Sequence, residues 1–435
     1  MPKKFQTVKG MRDFLPLDFK KYHYIIQKVR ELFQVYNYQE INMPIVEDFE
    51  LIAEKAGEEI RKTMYVFKDK ADRTLALRPE MTASIARTYI SNFMKAQPKP
   101  VKLGYIGQCY RYDNPQFGRY REFFQAGFEF IGSSNTISDV EIITICCDLM
   151  NNLNFEDFSI KLGHVGILSN ILKQENIEEH QQNRIFGLID KGEMEEVFNI
   201  LIELKVSKNC SIILEKLFEL KGRNLSNIIK QASKLLSNYS ESMKSLENLK
   251  ELIKFAEIYG ISKYLDLNLG FARGLEYYTG MIFEIFIPKL DIAVGGGGRY
   301  DHLVETFGGN PTNAVGCALG IDRILLAMDQ TKIFSNIVLG PDKILIIPFN
   351  EEMLPKAIEI SRKFREKGKC IELEIVRDSL KKALQYADSQ KFRYVIIVAP
   401  KEAKDNKFGI RDMKSGEQKT VSFKEALEIL ERSSS

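Results

Sequence analysis

Two stretches near residue 100 limit the fold more than any other part of the chain. Val101 to Tyr112 and Arg121 to Ile131 both read as strands, and the polar loop between them, Asp113 to Tyr120, contains Pro115 and Gly118. Strands joined by such a loop pair antiparallel, as one long hairpin. Side chains alternate between the faces of a strand, so Arg121, Phe123, Gln125 and Glu129, at even spacing, share one face. Antiparallel pairing also brings Arg111, near the end of the first strand, to the same end of the sheet as Arg119 and Arg121. A guanidinium offers a rigid fork of donors suited to phosphate oxygens and does not lose its proton. Phe123 supplies an aromatic face for a base. A row of Arg, Phe, Gln and Glu makes a poor core and a good polar pocket; it is also what an exposed face of mixed charge looks like, and the row alone does not choose.

At 435 residues the chain is long enough for two or three domains. An apolar fraction of 44% and a charged fraction of 28% are those of a soluble globular protein, and no apolar run approaches the roughly 20 residues of a membrane span. Residues 1–10 hold three lysines and no apolar stretch, so no leader is read there and a cytoplasmic location is expected. Six cysteines without a C-x-x-C spacing, and four histidines not spaced as a ligand pair, predict reduced thiols and no structural metal. From Lys343 onward Lys and Arg number 20 against 15 Asp and Glu, while the whole chain carries only +3. Such a region suits contact with phosphates, or is a solvated lysine-rich surface.

The periodicity changes along the chain. Tyr22 to Tyr36 has helical spacing, and Tyr38 to Val46 reads as a strand interrupted near Pro44. From about 165 to 262 Leu and Ile recur every three or four residues, which predicts a helical block inserted between strand-bearing regions. Strands return at Met281 to Ile287 and Ile292 to Val294, followed by four glycines, Gly295 to Gly298. Ala314 to Met328 runs from small residues into an amphipathic helix. After Gly340-Pro341, strands at Lys343 to Pro348 and Tyr394 to Ala399 alternate with helical patterns, as in a small α/β domain with a largely parallel sheet.

Three further clusters could carry chemistry. Arg78-Pro79-Glu80-Met81-Thr82 puts Glu80 and Thr82 near a helix start, either as ligand groups or as acids and caps favoured there by the dipole. Arg273 to Gly280, with Tyr277 and Tyr278, suits a turn presenting polar groups, or an ordinary loop. Gly316 to Arg323 places Arg323 at a helix N-terminus, against the dipole, where an anion or carboxylate would offset the cost. The glycine run before Arg299-Tyr300-Asp301 is neither a Walker loop nor a complete G-x-G-x-x-G.

Taken in order, the set resembles the class II aminoacyl-tRNA synthetases, and within them the histidyl-tRNA synthetase family. Lys9-Gly10-Met11-Arg12-Asp13 is similar to that family's N-terminal signature, and the helix and strand reaching Pro44 are similar to class II motif 1. Tyr110 to Asp113 with Arg121-Glu122-Phe123 resembles motif 2, and Gly320 to Arg323 resembles motif 3. Arg273 to Gly280 and Gly295 to Asp301 resemble the two histidine-specific motifs. The resemblance implies an α+β catalytic domain with an antiparallel sheet (1–163 and 263–330), a helical insertion (164–262), a linker (331–342) and a C-terminal α/β anticodon-binding domain (343–435). It implies ATP-dependent ligation of L-histidine to tRNA(His) through a histidyl-adenylate, by a homodimer, with Mg²⁺ arriving on ATP and no membrane partner. It also implies residue roles. Glu80, Met81, Thr82 and Gln125 belong to the histidine-binding set, with Glu129, Tyr277 and Tyr278 at the imidazole. Arg111 and Arg273 contact the α-phosphate and carboxylate as catalytic groups, Arg121 and Arg323 the outer phosphates, and Phe123 the adenine. The loop residues Asn114, Pro115, Gln116, Gly118 and Arg119 would lie near the tRNA acceptor end. Asp113 departs from the pattern, since motif 2 often has Glu there; contacts shifted by one methylene are expected. A non-charging paralogue, the histidine-binding regulatory subunit of ATP phosphoribosyltransferase, shares the catalytic core but usually lacks the anticodon-binding domain.

Overall fold

The computed structural model describes residues 5–54, 58–114, 118–273 and 277–432. The chain divides into two compact units, 1–336 and 337–435. The strands of the first are β1 (Gln39–Ile41), β2 (Val46–Asp48), β3 (Tyr65–Lys68), β4 (Thr74–Leu77), β5 (Val101–Tyr110), β6 (Glu122–Ile131), β7 (Ser159–His164), β8 (Lys221–Gly222), β9 (Leu265–Asn268), β10 (Met281–Ile287), β11 (Ile292–Arg299) and β12 (Ala314–Gly320). Nine of them form one sheet in the order β1-β5-β6-β12-β11-β10-β7-β9-β8, and β2, β4 and β3 form a separate small sheet. The central run from β5 to β7 is antiparallel throughout, and β1 and β9 are added parallel to β5 and β7.

The single strand read over Tyr38 to Val46 is two strands in different sheets. Pro44 lies between them and has no N–H to donate to a ladder; β1 pairs with β5 before it and β2 with β4 after it. The predicted hairpin forms as β5 and β6, ten residues each, with Val101 opposite Ile131 and Tyr110 opposite Glu122. Its two faces have different fates. Phe124 packs on Tyr22, and Phe128 packs on Phe33 and Tyr38, so the even-numbered face of β6 is covered by helix Pro16–Val35. Helices Thr136–Asn152 and Ile321–Gln330 also pack against β6. The odd-numbered face is left open for a cavity.

The glycine run does not follow a strand but continues it. Gly295 to Gly298 pair with Leu319 to Gly316 on one side and with Ile285 to Ile282 on the other. An added Cβ at Gly297 would overlap the Gly316 carbonyl, and one at Gly298 would stand 2.6 Å from the Met281 carbonyl. Glycine weakens a strand unless something must come close to it; here neighbouring strands do. Residues 165–258 are mainly helical, as their spacing predicts, and belong to the same compact unit as the sheet. Helix Ser240–Ile258 packs on helices Val165–Gln174 and Thr136–Asn152, which fixes the block to the back of the sheet.

The second unit holds β13 (Lys343–Pro348), β14 (Cys370–Leu373), β15 (Tyr394–Val398), β16 (Lys407–Asp412) and β17 (Gln418–Ser422), ordered β14-β13-β15-β16-β17. The first three are parallel and the last two antiparallel, so the sheet is mixed where a largely parallel one is expected. Helices Leu354–Glu366 and Phe423–Arg432 bury Phe364, Ala426 and Leu430 on one face, and helix Leu380–Ser389 buries Ala383 and Ala387 on the other. Among the described residues, no helix is long and apolar enough to cross a membrane.

Candidate active site

The open face of the antiparallel sheet is the floor of a cavity of about 590 Å³. Phe123, Gln125 and Glu129 line it, as their even spacing on β6 requires, and Arg111 reaches it from β5's end. Glu80 and Thr82 come from the start of helix Thr82–Thr88, Tyr277 and Tyr278 from the turn before β10, and Arg323 from the helix after β12. Glu80 and Arg323, 243 positions apart, therefore meet in one pocket.

One end of the cavity is acidic and closed. Glu129 is 1% exposed, and Tyr300 donates its hydroxyl to Glu129 Oε2. Burial pushes the Glu129 carboxyl up to about 8, the Tyr300 hydrogen bond pulling the other way and the nearby Glu80 adding to the rise. Gly316, opposite Glu129 in the ladder, has no room for a Cβ, which would overlap Glu129 Oε2. Tyr277 lies 4.8 Å from Tyr278 and 6.0 Å from Tyr300, ring centre to ring centre, so three phenols surround this end. Glu80 is held in place by accepting from the backbone N–H groups of Thr82 (2.6 Å) and Ala83 (3.0 Å). It is thus both a helix-start acid and a cavity wall. Cys109 donates its thiol to Gln125 Oε1 at 3.3 Å, which leaves the Gln125 amide N–H₂ group available to a ligand.

The opposite end is cationic. Arg111 donates through Nε to the Pro79 carbonyl (2.8 Å) and sits 5.4 Å from the Phe123 ring centre. Arg273 donates to the Phe283 carbonyl (3.2 Å) and stands 4.0 Å from Glu284, and Gly296 lets it lie against the glycine strand, since a Cβ there would overlap Arg273 Nη1. Arg323 is fixed by the carbonyls of Ala293 (2.8 Å) and Gly118 (3.3 Å). Burial depresses Arg323, and the fields of Arg119, Arg111 and Arg273 depress it further. With Arg111, Arg119 and Arg273 all acting against the charge of Arg323, this end favours a polyanion.

Three expected members fall outside the lining. Met81 is 1% exposed and packs in the core with Met43, Ile85 and Tyr105. Arg121 has the right parity but is turned away at the strand's start: Nε donates to the Asp113 carbonyl (3.1 Å), and the guanidinium lies 3.7 Å from the Tyr112 ring centre. Asn114 is exposed and off the cavity, whereas Gly118 and Arg119 line it; Pro115 and Gln116 lie outside the described residues. Conversely, Asp322, Glu284 and Tyr300 line the cavity, and none was given a role by the sequence. Asp322 and Tyr300 pair with Arg12 and Glu129 from far along the chain, which no local pattern reveals, and Glu284 stands 4.0 Å from Arg273.

An antiparallel sheet whose open face carries arginines at one end and a buried acid at the other, with a separate mixed α/β unit behind it in the chain, is the arrangement of class II aminoacyl-tRNA synthetases. The family model described as histidyl-tRNA synthetase matches residues 10–324, and the one described as anticodon binding domain matches 343–433. The histidine–tRNA ligase of Methanocaldococcus jannaschii is 42% identical over 423 residues, 97% of this chain and 98% of that one. The chain belongs to the histidyl-tRNA synthetase family. Among solved structures, the histidyl-tRNA synthetase of Nostoc sp. PCC 7120 has the same fold, with a TM-score of 0.83 at 23% identity over 99% of this chain and 100% of that one. A protein of Bacillus halodurans described as an ATP phosphoribosyltransferase regulatory subunit/histidyl-tRNA synthetase superposes with a TM-score of 0.78 at 27% identity, covering 91% and 99%.

Proposed function

We propose that this protein activates L-histidine with ATP and transfers the histidyl group to tRNA(His), releasing AMP and diphosphate. The observation that carries the reading is the polarity of one cavity: a buried acid ringed by phenols at one end and converging arginines beside an aromatic ring at the other. The first end suits an imidazole, with Glu129, Tyr277 and Tyr278 around it. Glu80, Thr82 and Gln125 offer acceptor oxygens for the α-amino group. Arg111 and Arg273 take the carboxylate and α-phosphate, Arg323 the outer phosphates, and Phe123 the adenine. Mg²⁺ arrives bound to ATP as part of that substrate.

In-line attack of the histidine carboxylate oxygen on the α-phosphorus forms the mixed anhydride and breaks the bond to pyrophosphate. Negative charge grows on phosphate oxygens, so preplaced guanidinium groups and alignment supply the catalysis, and no protein nucleophile is needed. A ribose hydroxyl of the tRNA terminus then attacks the carbonyl carbon and AMP leaves. The loop 114–119 would meet the acceptor end and the second unit the anticodon. The protein would work as a homodimer in the cytoplasm, where its tRNA is used. A regulatory paralogue without tRNA charging is disfavoured by the match of residues 343–433 to an anticodon binding domain and by Arg273 in the cavity wall.

ATP–pyrophosphate exchange measured with each standard amino acid tests the reading. Exchange should require histidine, and Arg273→Ala should lower kcat/KM by about 100-fold or more, the scale of losing one preplaced charge in a water-poor site. Folded wild-type protein that shows no histidine-dependent exchange would overturn it.

A further inference from the structure

The segment Lys9 to Asp13 has no part in the roles above, yet it is fastened to the cavity wall at several points. Gly10, at φ +84°, accepts from the Arg121 N–H at 2.9 Å, and a Cβ at Gly10 would stand 2.7 Å from Arg121 Cγ. Two residues on, the Arg12 guanidinium pairs with Asp322 Oδ1 and stacks on Tyr120, 3.8 Å from its ring centre, with Phe14 at 4.6 Å. Asp322 is 4% exposed, and its other oxygen accepts from the Phe124 N–H at 2.6 Å. Tyr120, Phe124 and Asp322 all line the cavity, between Phe123 and Arg323.

A buried carboxylate in a wall meant for a triphosphate is a conflict. Alone, it would repel the ligand and partly neutralise Arg323 beside it. Its charge partner comes from outside the cavity lining, and that partner is Arg12. We propose that Arg12 is a positioning residue for the nucleotide: by pairing with Asp322 it cancels that charge and ties the first turn of helix Ile321–Gln330 to the Phe123–Phe124 backbone. The wall then presents Arg323 and Phe123 to ATP without an opposing acid. The inference rests on the proposed adenylation chemistry, because it needs a polyanion in this end of the cavity.

The test is ATP–pyrophosphate exchange by the full chain, with KM measured separately for ATP and for histidine. Arg12→Gln loses the charge and keeps an amide donor on a shorter side chain; it should raise KM for ATP about tenfold or more and leave KM for histidine within about twofold. Adding Asp322→Asn should return KM for ATP to within about threefold of wild type, because the amide oxygen still accepts from Phe124 and nothing remains to neutralise. Arg12→Lys should lie near wild type. A KM for ATP unchanged in Arg12→Gln overturns the proposal, and so do two KM values that rise together and are not recovered by the double variant. If Arg12→Gln alone does not fold, Asp322→Asn is compared with the double variant: equal KM for ATP supports the proposal and a further rise overturns it. Loss of histidine-dependent exchange in the wild type would instead remove the adenylation reading itself.

Discussion

Glu129 makes the pH dependence of this protein's stability unusual for an acid. Its carboxyl, ordinarily near 4.5, is pushed to about 8 by burial. Between those values the native chain holds a proton that the unfolded chain has released, so stability falls as pH rises through that window, and the cost is complete above pH 8. Glu129→Gln can still accept from Tyr300 and does not titrate. It should therefore gain on the wild type as pH rises from 6 to 9, by at most about 3 kcal/mol. Urea midpoints at the two pH values give the comparison; an advantage equal at both would mean that Glu129 does not titrate there. The row containing Glu129 was readable because period-two spacing is local. Its burial was not, since Tyr300 comes from 171 residues away and Gly316 from the neighbouring strand. Arg121 shows the converse. Parity places it on the cavity face, but Gly10 and Asp113 capture it, and long-range capture leaves no mark in spacing.

At the scale of elements, the hairpin and the amphipathic helices were legible and the glycine strand was not. Glycine has low strand propensity, so Gly295 to Gly298 look like a loop; only the crowding by Arg273, Tyr278 and the Met281, Phe283 and Gly316 carbonyls explains why they continue β11. Strand β17 was missed for a related reason: four of its five residues, Gln418, Lys419, Thr420 and Ser422, are polar, so it carries no buried-strand signal. The crowding has a measurable consequence. Gly296→Ala places a methyl where Arg273 Nη1 lies and 2.6 Å from the Phe283 carbonyl. Arg273 has to move, and exchange kcat should fall by about tenfold or more, since a displacement of about 1 Å in a charged catalytic group costs that much or more. Gly187, inside helix Glu179–Lys191 with nothing within 4 Å of its added Cβ, is the control. Gly187→Ala should leave exchange unchanged and stabilise the protein by about 0.5–1 kcal/mol through helix propensity. Equal losses of activity in the two variants would mean that the strand glycines are not there for clearance.

The molecule as a whole separates the chemistry from the second unit. Residues 164–262, set apart by their periodicity as an insertion domain, lie in one compact unit with the sheet, and the division of the chain falls at 336/337. Periodicity reports what a segment is made of; it does not report what the segment packs against, and helix Ser240–Ile258 packs on helix Thr136–Asn152 behind the cavity. Every described residue that lines the cavity belongs to 1–336. The second unit carries its own core on both faces of its sheet, built from Ile344, Ile346, Phe364 and Phe408 on one side and Leu345, Ile347, Val395 and Phe392 on the other. A unit with a two-sided core of this kind should fold alone. Expressed separately, residues 337–435 should melt cooperatively. Residues 1–336 should retain histidine-dependent pyrophosphate exchange with KM values within about threefold of the full chain, because no group in the cavity is removed. Charging of tRNA(His) by that fragment should fall by about 100-fold or more, as expected when a basic surface that meets phosphates is lost, and the gap to the full chain should widen as salt is lowered. If the fragment loses exchange as well as charging, the second unit supports the catalytic cavity itself. If it keeps both, the basic unit makes no contribution to tRNA recognition, and the assignment of the anticodon contact to residues 343–435 fails.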